Sequence, residues 1–244
     1  MIMVPFLTMI LTAGDFPADA VIKVAIATSL STILFTSLSS VRAHHGRGAV
    51  RWDIVKALAP GVVLGTLLGA LMVGALPGRL VAGFFAAFIG WSAWRMLRPI
   101  RNTGSDGQLR ALPSPAGLFG TGGLIGVLSA LLGAGGGFLT IPFLTNRNVQ
   151  IHQAIATSAA CGFPIALGGT AGYVIAGWNL DLPEHTFGYL YLPALAIIIP
   201  ASVLMAPLGA RAAHALSVKR MRTLFAIILM GLSLYMLTRA LAAG

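Results

Sequence analysis

Leu132-Gly133-Ala134-Gly135-Gly136-Gly137-Phe138-Leu139-Thr140-Ile141-Pro142-Phe143-Leu144 is the stretch on which the reading of this chain turns. Four glycines and a proline interrupt a run that is otherwise as apolar as lipid. At membrane depth the backbone groups freed by such a break are tolerated only where protein or a water-filled cavity satisfies them. Broken helices at that depth are where transporters hold their substrates. The break therefore reads as a site, provided the chain around it is a membrane protein.

Composition supports that condition. Of 244 residues, 57% are hydrophobic and 9% charged, with a mean hydropathy of +0.89. Soluble domains carry about 25% charged residues. So few charges cannot cover a water-facing surface of this size. The net charge of +10 comes from 16 Lys+Arg against 6 Asp+Glu. The basic residues fall mostly between apolar runs, the pattern that orients membrane proteins, and so do not point to nucleic acid. The single cysteine, Cys161, excludes an internal disulfide and any multi-cysteine metal site. Met1 to Leu11 lacks a basic leader and does not read as a cleavable signal peptide.

Apolar runs at Val24–Val41, Ala57–Leu76, Leu80–Leu97, Ala154–Trp178, Phe187–Leu208 and Leu224–Leu237 predict membrane spans, and Ala116 to Asn146 runs uncharged through the glycine cluster. Residues 99–115 are the most hydrophilic part and read as a linker. The two sides of that linker resemble each other. Val4-Pro5-Phe6-Leu7 returns as Ile141-Pro142-Phe143-Leu144, and Ala25-Ile26-Ala27-Thr28-Ser29 returns as Ala154-Ile155-Ala156-Thr157-Ser158. Residues 1–98 and 116–244 thus read as two repeats. The first would lack its opening helix and glycine cluster, for which either a start codon assigned too late or a truncation is the expected cause, the former favoured because Met1 and Met3 read as false starts inside a longer frame. The loop Arg42–Lys56 is basic and its counterpart Asn179–His185 acidic; the Pro77-Gly78-Arg79 turn is short and its counterpart Arg211–Arg222 basic. Equivalent loops facing opposite sides make the repeat inverted. Inversion needs an odd number of crossings per half. The count works if Ala116 to Leu132 enters, turns at the glycines, and Phe138 to Leu144 returns to the same side.

Gly61-Gly65-Gly69 reads as a helix-packing stripe. Gly135-Gly136-Gly137 differs, because three consecutive glycines are costly in a helix and an unwound triplet offers N–H groups to an anion. Thr28-Ser29 and Thr157-Ser158 occupy matching positions, where neutral hydroxyls can replace part of an oxyanion's hydration shell and still release it. The apolar runs hold no Asp or Glu, and no Lys or Arg away from their ends. That argues against a side-chain proton relay. Lys23, Arg42 and Arg79 read as snorkelling anchors, His44, His45 and His152 as solvated loop residues, and Cys161 as a small buried hydrophobe.

At these residues the chain resembles the sulfite exporter TauE/SafE family of bacterial membrane proteins. The resemblance rests on Gly133-Ala134-Gly135-Gly136-Gly137 with Ile141-Pro142-Phe143-Leu144 and Ala156-Thr157-Ser158, and on Val4-Pro5-Phe6-Leu7 with Ala27-Thr28-Ser29. It implies transport of sulfite or organosulfur anions such as sulfoacetate. The chain departs from the family's pattern by lacking the first glycine cluster.

The expected fold is an all-α membrane protein of two inverted-topology repeats with glycine-broken, re-entrant segments. The expected function is secondary transport of a small oxyanion by alternating access, in the bacterial inner membrane. Competing classes are a membrane scaffold or accessory subunit and an intramembrane enzyme. The enzyme needs a base beside Ser158 or Cys161, and none lies in those runs. Candidate substrate-binding residues are Gly133, Gly135, Gly136, Gly137, Pro142, Thr157, Ser158, Thr28, Ser29 and Pro5. No catalytic residue, metal or cofactor is expected. The partners expected are a small anion and the bilayer, without nucleic acid, and assembly into a homo-oligomer stays open.

Overall fold

The computed structural model describes residues 2–14, 16–46, 48–97, 111–215 and 218–242, with side chains for all of these except 43, 95, 96, 203, 206–215, 218–222 and 239–242. Nine helices run along the described residues: α1 (Met3–Thr12), α2 (Ala18–His45), α3 (Trp52–Ala75), α4 (Gly78–Leu97), α5 (Pro115–Leu132), α6 (Gly137–Thr145), α7 (Ile151–Gly177), α8 (Leu192–Ala215) and α9 (Val218–Ala242). Most of the expected linker, residues 99–110, lies outside the described residues. Four segments, Ala18–Arg42, Trp52–Ala75, Pro115–Leu132 and Ile151–Gly177, are long and apolar enough to cross a membrane. A helix satisfies its own backbone, the condition that lipid imposes.

The bundle has two chemically distinct ends. At one, Asp19 accepts from the Gly78 N–H and Lys23 donates to the Gly74 carbonyl, which joins the start of α2 to the α3–α4 turn. Asp181 and Glu184 follow the end of α7 at the same end, which we call the acidic end. At the other, the Trp52 indole donates to His45 and the Arg51 N–H to Thr157, bringing together the end of α2 and the starts of α3 and α7. Arg42, Arg51, Lys56 and Arg147 make it the basic end.

Glycines set how closely the helices pack. A Cβ on Gly61 or Gly65 would run into the carbonyl of Phe119 or Gly123, so α3 and α5 lie backbone on backbone. Small residues permit this approach in membranes, where dispersion rather than the hydrophobic effect joins helices. α7 covers the other side of α3: a Cβ on Gly168 or Gly172 would strike Val63 or Leu67. Across the halves, Leu30 of α2 fills the notch at Gly169, and Ser31 lies 3.1 Å from the Thr170 hydroxyl.

Three expectations are corrected here. The span predicted from Phe187 begins instead at Leu192, after a two-residue hairpin pairing Thr186 with Tyr191 and Phe187 with Leu190. Its turn residue Gly188 has φ +59° and packs on the Val174 backbone, an approach that a side chain would prevent. The basic segment Arg211–Arg222 is helical up to Ala215 and again from Val218, and its side chains lie outside the described residues. His44 and His45 end α2 and His152 opens α7, so none of the three is a loop residue.

Candidate functional site

Why α5 stops is legible locally. Ser114 caps its start by accepting from the Gly117 N–H, and Pro115 takes the first turn, where no donor is needed. At its end Gly133 turns left-handed (φ +56°), and the N–H groups of Gly133 and Ala134 return to Ala130 and Ser129. Gly136 is left-handed again (φ +71°), and its carbonyl accepts from Leu139 and Thr140 to begin α6. The path then doubles back. Arg147, just past α6, donates to the carbonyl of Ala111, just before α5, at 2.8 Å. The α5–α6 pair is thus a re-entrant hairpin that returns to the basic end it came from.

The glycine turn lies at mid-depth. Gly135 faces Ile33 near the middle of α2, and Gly136 faces Ile165 near the middle of α7. Among the described residues, nothing accepts from the N–H groups of Gly135, Gly136, Gly137 and Phe138. Two hydroxyls join them. The Ser129 Oγ is buried, has no partner among the described residues, and lies 3.2 Å from where a Cβ on Gly136 would stand. The Ser158 Oγ stands 3.5 Å from the equivalent point on Gly137. Thr140, in the first turn of α6, holds a second buried, unpartnered hydroxyl. A buried hydroxyl without a partner costs about 1–3 kcal/mol, so such groups mark a place where an acceptor is wanted.

The remaining candidate residues divide. Ser29 donates to the Gly133 carbonyl at 3.2 Å and so ties α2 to the turn. Thr28 and Thr157 do not face it. Thr157 accepts the Arg51 N–H ahead of α3, and Thr28 accepts the Tyr191 N–H ahead of α8, each at 3.1 Å. Pro5 lies in the first turn of α1, next to Val4, which packs on Gly133. Pro142 sits inside α6 and leaves the Phe138 carbonyl without its helical donor. Ser129 and Thr140 escaped the sequence reading. The only signal for Ser129 is a hydroxyl in the last turn of a span that ends in glycine.

Arg42 and Arg79 are exposed, as anchors should be, but Lys23 is buried. Cavities lie toward the acidic end, among them one of about 270 Å³ beside Thr12, Phe16 and Arg79 and one of about 530 Å³ beside Lys23, Asp19 and Tyr189.

A family model described as Sulfite exporter TauE/SafE matches residues 1–236. A probable membrane transporter protein of Haemophilus influenzae is 33% identical over 237 residues, covering 97% of this chain and 89% of the relative. A probable inner membrane transporter protein of Comamonas testosteroni, TsaS, is 30% identical over 192 residues, covering 76% of this chain and 72% of the relative. A probable membrane transporter protein of Methanocaldococcus jannaschii is 25% identical over 235 residues, covering 96% and 85%. No solved structure matches the chain. With the family model spanning nearly every residue over a helical bundle that folds around a mid-depth glycine turn, the chain belongs to the sulfite exporter TauE/SafE family and is a multi-pass membrane transporter protein.

Proposed function

We propose that this protein is a secondary transporter that carries a small oxyanion, sulfite or an organosulfur anion such as sulfoacetate, across the bacterial inner membrane by alternating access. The observation that carries the proposal is the mid-depth turn. Among the described residues, four consecutive N–H groups without acceptors meet the unpartnered Ser129 hydroxyl. Such a set binds negative charge by backbone dipoles and neutral donors, tightly enough to strip water and loosely enough to release. The sulfur chemistry comes from the family's description and the inner membrane from the name of the Comamonas relative.

The halves 1–98 and 116–244 are, in this reading, inverted repeats that rock against each other. Two short helices support it. α1 begins beside the glycine turn and runs to the acidic end, while α6 begins at the turn and runs to the basic end. Thr28 and Thr157 support it as well, since each half's threonine holds the approach to the other half's helix. By the distribution of Lys and Arg, the basic end faces the cytoplasm.

Flux of labelled sulfite into proteoliposomes tests the proposal. Ser129→Ala should raise KM about tenfold, the loss expected for one hydrogen bond to a charged group, and Ser158→Ala should act in the same direction. Wild-type protein that moves none of sulfite, thiosulfate, sulfoacetate or acetate would overturn it.

A further inference from the structure

Lys23 is 4% exposed although it lies one and a half turns inside α2. Its ammonium donates to the Asp19 Oδ2 at 2.8 Å and to the Gly74 carbonyl at 3.2 Å, and lies 5.9 Å from the centre of the Tyr189 ring. The three groups border the cavity of about 530 Å³ that opens at the acidic end, with Asp181 and Pro77 on its rim. The partners in this ion pair are unequal. The Lys23 side chain is 5% exposed and the Asp19 side chain 61%. Asp19 can swing into water, giving up the hydrogen bonds it accepts from Lys23 and from the Gly78 N–H. Lys23 cannot follow, and a buried ammonium without a counter-charge costs several kcal/mol. Whatever displaces Asp19 must therefore be an anion.

We infer that Lys23 anchors a second anion subsite, in this outer vestibule, where an incoming oxyanion takes the place of Asp19 as the partner of the ammonium. The exchange keeps an anionic partner on Lys23, so it avoids the penalty of baring a charge. Tyr189 adds a neutral O–H donor; burial pushes its phenol up, so it holds its proton at physiological pH. Two routes connect the vestibule to the glycine turn. Ile26, one turn further along the same face of α2, packs on Gly133. The Tyr189 ring stands edge-on to Tyr173, 6.2 Å between centres, and the Tyr173 hydroxyl donates to the Ala130 carbonyl in the last turn of α5. The subsite is thus a station above the tip of the re-entrant hairpin. For its substrate class the inference rests on the transport reading above.

The melting temperature of the purified full-length protein, in sodium sulfite and sodium sulfoacetate against sodium chloride of equal ionic strength, tests it without needing transport. Asp19→Asn leaves Lys23 short of a counter-charge. The oxyanions should then raise the melting temperature more than in wild type, with half-saturation at about tenfold lower concentration. Adding Lys23→Met to that variant should abolish the gain. A purely structural staple predicts the contrary: both variants melt lower, with no change in anion response. Asp19→Ser, which keeps an acceptor for the Gly78 N–H, gives the same comparison if the amide variant does not accumulate. An unchanged anion response in the Asp19 variants, or a gain that survives the loss of Lys23, would overturn the subsite. Absence of flux through wild-type protein would overturn the transport reading alone.

Discussion

Gly65 and Gly83 show how little a residue's type says about its role. Both are helical glycines in the first half. A Cβ on Gly65 would collide with the Gly123 backbone, whereas nothing lies within 4 Å of one on Gly83. Gly65→Val should destabilise by about 1–3 kcal/mol or more, the usual cost of overpacking. Gly83→Ala should be neutral or stabilising by up to about 1 kcal/mol, since Ala is the better helix former. Thermal melts in detergent check both, and equal effects would sink the packing argument. Read as sequence, the Gly61-Gly65-Gly69 stripe announces packing but not its partner. The glycine triplet announces a break, and the structure adds that Gly136 needs its left-handed φ. Thr28 and Thr157 were legible as a matched pair only. That each accepts a backbone N–H from the other half is a tertiary fact which no spacing within either half contains.

At the scale of elements, the α5–α6 hairpin is the unit that sequence reading recovered best. Its ends were legible because the punctuation is strong: a hydrophilic linker up to residue 115, Gly133 at the tip, and no charge from Ala116 to Asn146. The hairpin of residues 186–191 was not legible, because Phe187 and Leu190 read as the opening of a span. Two buried hydrogen bonds hold the tip of α5: Ser29 of α2 donates to the Gly133 carbonyl, and Tyr173 of α7 donates to the Ala130 carbonyl at 3.0 Å. Tyr173→Phe removes the second without changing the packing. It should cost about 1 kcal/mol of stability and make the hydrogen-bonded amides of residues 130–134 exchange hydrogen faster. Protection unchanged at the tip would show that the ring, not the hydroxyl, holds it.

For the whole molecule, the all-α membrane class follows from composition, and charge distinguishes the two ends of the bundle. The acidic end joins Asp19 to Asp181 and Glu184, far apart in sequence, and the basic end joins Arg42, Arg51, Lys56 and Arg147. This polarity predicts a labelling result. Leu180→Cys, exposed at the acidic end, should react in intact cells with a membrane-impermeant maleimide. Gly46→Cys, exposed at the basic end with room for a side chain, should react only after permeabilisation. Cys161 is buried and stays silent. Both positions reporting the same side would contradict the topology. The burial of Lys23 was not legible, because a lysine close to a helix start reads as snorkelling until the α3–α4 turn and Tyr189 are known to close over it.

The placement of α3 has a consequence for how the protein is made. Its glycine face is filled by α5 and its other side by α7, both translated later. A nascent chain that has delivered only α1 to α4 to the bilayer therefore carries an open, narrow groove along Gly61, Gly65 and Gly69. Maturation waits on the ribosome: the innermost contact of the finished bundle is among the later ones to form, and a stall in the linker region would leave a half-protein with a seam that any small-residue helix nearby could occupy.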